Sequence, residues 1–222
     1  RPFGPPKIGW DAYREANRRA GEAYAIFAYG ARLGFEAAPF DPAWANEEAR
    51  TLLRATVREQ VWRHAFDWRR TGPPLPPEVA DALDRRIGLA TGMEDDRNTA
   101  MLKAHVAAHG WPTIGRVGAR ASDAAWLLVQ HADQDPAFQL RALRLMEPLA
   151  ARGEVTKANY AYLYDRVMLK LTGRQRYGTQ FACDPKGDYG PRPLEPGVVI
   201  DTVRAEMGLG PLADYRRDLE SM

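Results

Sequence analysis

Apolar residues recur three and four positions apart along nearly the whole chain, while strand-like alternation is almost missing. That period matches a helix of 3.6 residues per turn. Each segment can therefore bury one stripe, and it needs other helices to bury it against. The single β-flavoured run, "GVVI" at 197–200, is too short to found a sheet. The expected fold class is mostly α: a single-domain multi-helix bundle with a long Gly/Pro-rich loop at 173–197. With 222 residues, 45% of them apolar and six of them Trp, the chain can bury a real core.

Breakers set the expected boundaries. The stretch 10–34 reads as one helix ending at Gly34. Asp41-Pro42 reads as the N-cap and first position of a second helix that runs to about Arg70, and "TGPPLPP" (71–77) is a stiff break. A helical pattern then covers 77–86, is interrupted around Gly88 and Gly92, and resumes over 94–109 until "GWP" (110–112) stops it. Further helices are expected near 118–132, 136–152, 157–172, 199–207 and 211–220. Residues 1–40 are read as an N-terminal helical extension, able to bind a partner protein, and 41–222 as the main helical domain.

Charge narrows the function classes. Thirty-one basic against 29 acidic residues leave +2, with no Lys/Arg run and no basic–aromatic alternation, so neither a nucleic-acid nor a membrane partner is expected. No stretch is long enough to span a bilayer. Cys183 is the only cysteine, which excludes an internal disulfide and a Cys-built zinc site. Cysteine scarcity fits cytoplasm and periplasm alike. Arg1 rather than Met opens the chain, as a removed signal peptide or a trimmed leader would explain.

Polar groups on inward faces are the candidate chemistry. On the second helix Leu53, Val57, Val61 and Trp68 form the apolar stripe, with Gln60, His64 and Asp67 beside it at spacings of three and four. Glu59 and Arg63 read as an outward ion pair. On 94–109, Asp95, Asn98, Leu102, His105, Val106 and His109 share one face. The pair "HVAAH" could share a cation with Asp95, but it lacks the glutamate of "HExxH", so no metal or other cofactor is assigned.

The apolar helix "AAWLLV" ends in Gln130 and His131, followed by Asp133 and then Asp135-Pro136, the N-cap and first position of the next helix. His131 can either cap the last carbonyls or move protons, oriented by Asp133 or Asp95. On 157–172, Leu163, Val167 and Leu171 define the buried side, placing Asp165 on the far side and Arg166 near the edge. Gln175, Tyr177, Thr179 and Gln180 offer neutral donors and acceptors beside that arginine.

The blocks "GWPTIGRVG" (110–118), "AAWLLVQHADQDPAFQ" (124–139), "AYLYDRV" (161–167), "QRYGTQF" (175–181) and "MGLGPLADY" (207–215) resemble, in that order, a bacterial helical family of unknown function. The resemblance covers roughly 55–216, reaching upstream through Glu59, Gln60 and Arg63 and through Asp95, Asn98 and Thr99. It carries no activity across, and it draws attention to Trp111, Gln130, His131, Asp165, Arg166 and Gln180.

The functional expectation is a cleft that binds a small polar or peptide-like ligand, with hydrolase- or lyase-type chemistry. His131 is the expected general acid/base, with Asp133 or Asp95 orienting it. Gln60, Asn98, Trp111, Gln130, Asp165, Arg166, Tyr177 and Gln180 would hold substrate. The rival reading is a non-catalytic helical binding or partner-interaction module whose polar blocks are internal networks.

Overall fold

A computed structural model describes residues 8–36 and 46–221. Among them the protein is mostly α-helical, with one small two-stranded sheet. Helix α1 (Trp10–Glu36) runs two residues past the expected stop at Gly34. The expected helix start at Asp41-Pro42 lies outside the described residues. Helix α2 (Glu47–His64) begins instead at Asn46, whose side chain accepts from Glu48 N and Ala49 N and so satisfies two donors that have no intrahelical partner.

Helix α2 does not continue to Arg70. The chain tightens into a 3-10 turn over Ala65–Asp67 and resumes as the one-turn α3 (Trp68–Thr71). This turn seats Trp68 in the core, where its indole N–H donates to Asp84 Oδ1 at 2.9 Å.

Helix α4 (Pro77–His109) corrects a second boundary, because it passes unbroken through Gly88 and Gly92. Its 33 residues give a rod of about 50 Å at 1.5 Å per residue. Both glycines face solvent while Ile87, Thr91 and Glu94 are buried on the other side. Tertiary packing of that face outweighs a propensity loss of about 1 kcal/mol per glycine.

This rod joins two apolar clusters. Its first half packs with α1 and Trp68 through Ala16, Ala20, Val79, Leu83 and Ile87. Its second half joins α2, α5 (Ile114–Val117), α6 (Ala119–Gln130), α7 (Pro136–Ala151) and α8 (Lys157–Thr172) in the main core, around Leu52, Leu102, Leu128, Phe138, Met146 and Leu163. Helices α7 and α8 pack on each other, and α6 lies against α2 and α8.

The loop at 173–197 holds a hairpin that periodicity did not reveal. Strand β1 (Phe181–Cys183) pairs antiparallel with β2 (Tyr189–Pro191), in register Phe181↔Pro191. Asp184 Oδ1 closes the turn by accepting from Lys186 N and Asp188 N at 2.8 and 2.9 Å. "GVVI" is not a strand, since Ile200 already opens α9 (Ile200–Glu206), which is followed by α10 (Leu212–Glu220).

Candidate functional site

Helix α6 is buried along most of its length, so the carbonyls at its C-terminus need partners. The His131 backbone N–H donates to Leu127 O at 3.2 Å, but its imidazole supplies none. Gln139, fully buried on α7, donates through Nε2 to Val129 O and Gln130 O at 3.0 and 3.2 Å. The amide caps the helix, and the imidazole is left for another partner.

That partner is Glu59. Its carboxylate is 1% exposed, yet His131 Nδ1 lies 2.7 Å from Glu59 Oε1, with the ring N–H off the line to the oxygen. Glu59 also accepts from Arg63 and, through Oε2, from Gln60 Nε2 at 2.6 Å. Arg63 Nη2 reaches across to both oxygens of Asp95 at 2.9 Å. The expected outward Glu59–Arg63 pair is thus corrected: Glu59 continues the inward stripe of Leu52 and Ala55, and its arginine bridges α2 to α4.

The two carboxyls of this cluster respond oppositely. Burial pushes Glu59 upward, but the His131 imidazole facing it and the hydrogen bond from Arg63 outweigh that and hold the group below the usual range. Asp95 is raised by burial with help from Glu59, and Arg63 and His131 offset only part of that. The two neighbouring carboxyls are thus shifted in opposite directions, a separation that suits an acid/base pair. The His131 side chain keeps 17% of its surface exposed, so the cluster is reachable from one side. The buried Gln130 Oε1, one residue before it, has no hydrogen-bond partner.

Asp133 does not orient His131, contrary to expectation. It accepts from Arg166 Nη1 at 2.9 and 2.8 Å and from Lys170 Nζ at 2.7 Å. Burial raises Asp133, but these two cations outweigh it and keep the carboxyl below its ordinary range. Asp133, Arg166 and Gln180 line one hollow of about 420 Å³ together with Leu169, Lys170 and Arg192. Gln60 lines a separate apolar hollow of about 680 Å³ with Val57 and Phe27, and Asn98 a third of about 400 Å³ with Arg58 and Arg97. His131 lines none of these three.

Asp165 is also corrected. It is fully buried rather than on the far side of α8, while Leu171, expected inside, is 56% exposed. Asp165 Oδ1 accepts from Arg176 N and Tyr177 N at 2.8 and 3.0 Å, and Oδ2 from Thr179 N and Thr179 Oγ1, both at 2.9 Å. Burial still raises this carboxyl, against those four hydrogen bonds. Asp165 therefore shapes the "RYGT" turn from inside. Tyr177 is buried beneath it, and Gln175, fully buried, joins the two sides of the loop through Gln180 O and Arg192 O. Only Gln180 of that block reaches the hollow. Trp111 sits in the main core, 3% exposed, with its indole N–H unpartnered.

The remaining histidines are tied elsewhere. His105 Nε2 meets Glu48 Oε1 at 2.8 Å, Arg116 shares that oxygen, and His109 is exposed beside it. His64 pairs with Asp67 at the surface, and Gln60 joins Glu59 rather than them. No group of three His, Cys, Asp or Glu placed to hold a metal occurs among the described residues.

Sequence reasoning gives no site role to three residues here: Gln139, Arg204 and Glu59, the last read as facing outward. Arg204 is 2% exposed and donates to Tyr177 O at 2.8 Å and Gly210 O at 2.6 Å, tying the turn to the C-terminal helices. A glutamine four positions into a helix that follows a buried helix end was the available signal for Gln139. A stripe one position earlier on α2, through Leu52 and Ala55, was the signal for Glu59.

Fold and site together define a mostly α-helical protein with a carboxylate–imidazole centre between α2, α4 and the end of α6. The chain belongs to a family of unknown function, DUF6624, whose family model matches residues 80–222. Glu59, Gln60 and Arg63 lie upstream of the matched segment, and Asp95, His131, Asp133, Arg166 and Gln180 lie within it. No curated protein and no solved structure matches the chain. No helix among the described residues is long and apolar enough to cross a membrane.

Proposed function

We propose that the chain is an enzyme acting on a small polar or peptide-like substrate by acid/base chemistry at His131, of hydrolase or lyase type. The observation that carries this reading is the Glu59 carboxylate, sealed from water and set 2.7 Å from His131 Nδ1 while the imidazole keeps a solvent-facing edge. With Nδ1 facing Glu59 at 2.7 Å, a small turn of the ring completes a hydrogen bond there, and Nε2 is the nitrogen left to take a proton from a water or a substrate carbon and return it to a leaving group. Asp95, held above its ordinary range in the same cluster, supplies a second proton carrier, and Arg63 keeps the two carboxyls apart. Gln130 Oε1 is a free acceptor for a substrate N–H.

The test is to incubate the protein with a peptide panel and a small-molecule extract and to follow composition by mass spectrometry. Conversions should appear with the wild type and fall at least a hundredfold in His131→Gln and Glu59→Gln. Conversions that persist unchanged in His131→Gln would refute the assignment.

A second reading, a non-catalytic binding module, is favoured by one observation: the hollow lined by Arg166 and Gln180 is not lined by His131. Retention of a compound without conversion, unaffected by His131→Gln, would select it.

A further inference from the structure

Arg166 and Lys170 stand one turn apart on α8 and so share a face. Across the loop, the register Phe181↔Pro191 extends by one more pair, since Arg192 N donates to Gln180 O at 2.9 Å. Residues facing each other in such a ladder project to the same side of the ribbon. Gln180 and Arg192 therefore project together, and the same hollow of about 420 Å³ takes in all four side chains, with Leu169 and Asp133 completing its wall.

Three cations and one carboxylate leave a charge of about +2 in a space of ligand size. Asp133 engages Arg166 through Nη1 alone, and Arg166 Nε is buried without a partner. The Arg192 guanidinium makes no side-chain hydrogen bond or ion pair among the described residues. The Gln180 amide is tied only through Nε2, to Thr179 Oγ1 at 3.1 Å. Asp133, lying between Arg166 and Lys170, shows that these donors serve a carboxylate, and the fork of an arginine suits phosphate oxygens as well.

We infer that this hollow is a binding site for a small oxyanion, the carboxylate or phosphate of a polar metabolite. Arg192 grips its charge, Gln180 reads a neighbouring neutral polar group, and Lys170, whose three donors are held by Asp133 and Gln139, adds only its positive field. The inference shares with the proposed function the expectation of a small polar ligand, but it stands on the hollow's own residues and requires no turnover.

Inorganic phosphate and succinate, titrated separately into the full chain, separate the two sources while side-chain and backbone amide NMR shifts are followed. Saturable shifts are expected at Gln180 and Arg192, weakening as salt rises. Affinity should drop about tenfold in Arg192→Ala, an exposed position whose loss leaves the remaining spectrum in place. Saturation by either anion supports the site and names its preferred chemistry. Shifts that never saturate with either anion, or equal affinity in Arg192→Ala, overturn it. Either failure leaves the His131 chemistry to its own test.

Discussion

A carboxylate removed from water is costly unless its oxygens are engaged, and Glu59 meets that condition through Arg63, His131 and Gln60. Its hold on the anionic form has a definite sign. A carboxyl lowered in the folded state contributes stability above its unfolded value, about 4.3, and loses it as pH falls through the folded value. Glu59→Gln should therefore cost about 1–3 kcal/mol at neutral pH, read from urea midpoints, with the gap to wild type closing below about pH 4. A gap independent of pH would show that the charge is not what stabilises. Asp165 has the opposite sign, because burial raises it, so its contribution declines as pH rises through its folded value. Asp165→Ala should cost at least about 3 kcal/mol, since three backbone N–H groups lose their acceptor. Neither environment was legible from spacing. Helix α2 carries apolar residues at both 52 and 53, so two stripes were available. The one through Leu53 and Val57 turns Glu59 outward; packing buries Leu53 but leaves Val57 and Val61 half-buried, and carries the inward face on through Leu52, Ala55 and Glu59.

Among the elements, α6, α7 and α8 match their expected spans closely because strong breakers bound them: Gly118 before α6, Asp135-Pro136 before α7 and Gly173 after α8. The sequence pattern of α4 looks broken at Gly88 and Gly92 because glycine propensity is a local signal and the packing that overrides it is not. A Cβ at Gly92 meets nothing within 4 Å, so Gly92→Ala should raise stability by about 0.5–1 kcal/mol, visible as a higher thermal midpoint. Gly178 behaves oppositely. Its φ of +64° lies in the left-handed region, and a Cβ there would come within 3.0 Å of Leu212 and 3.3 Å of Ile200. Gly178→Ala should destabilise by about 1–3 kcal/mol and loosen the turn that presents Gln180, lowering affinity at the hollow as well. The hairpin in 173–197 escaped detection because Gln175 side-chain hydrogen bonds, rather than alternating apolar residues, tie its two arms together.

At the scale of the whole molecule, α4 couples two clusters of different make-up. At the α1 end the buried residues described on α1 are the small Ala16 and Ala20, in one cluster with Leu83 and Ile87 of α4, whereas in the main core large side chains from several helices meet. Ala20→Leu should overpack the first by about 1–3 kcal/mol. Hydrogen exchange should then speed up in α1 and the first half of α4 while α6 to α8 stay protected; uniform acceleration would show one cooperative unit instead. The candidate centre sits where α2, α4 and α6 meet, so its chemistry depends on long-range placement: the ordered blocks mark Glu59, Asp95 and His131, but spacing alone turns Glu59 outward and so does not join it to His131. The most direct test is ¹⁵N NMR of the His131 ring at a pH where the imidazole is neutral, in wild type and Glu59→Gln. The account predicts a proton on Nδ1 and a bare Nε2 in the wild type, with that preference lost in Glu59→Gln. A wild-type ring protonated on Nε2, or a preference indifferent to Glu59, would contradict it.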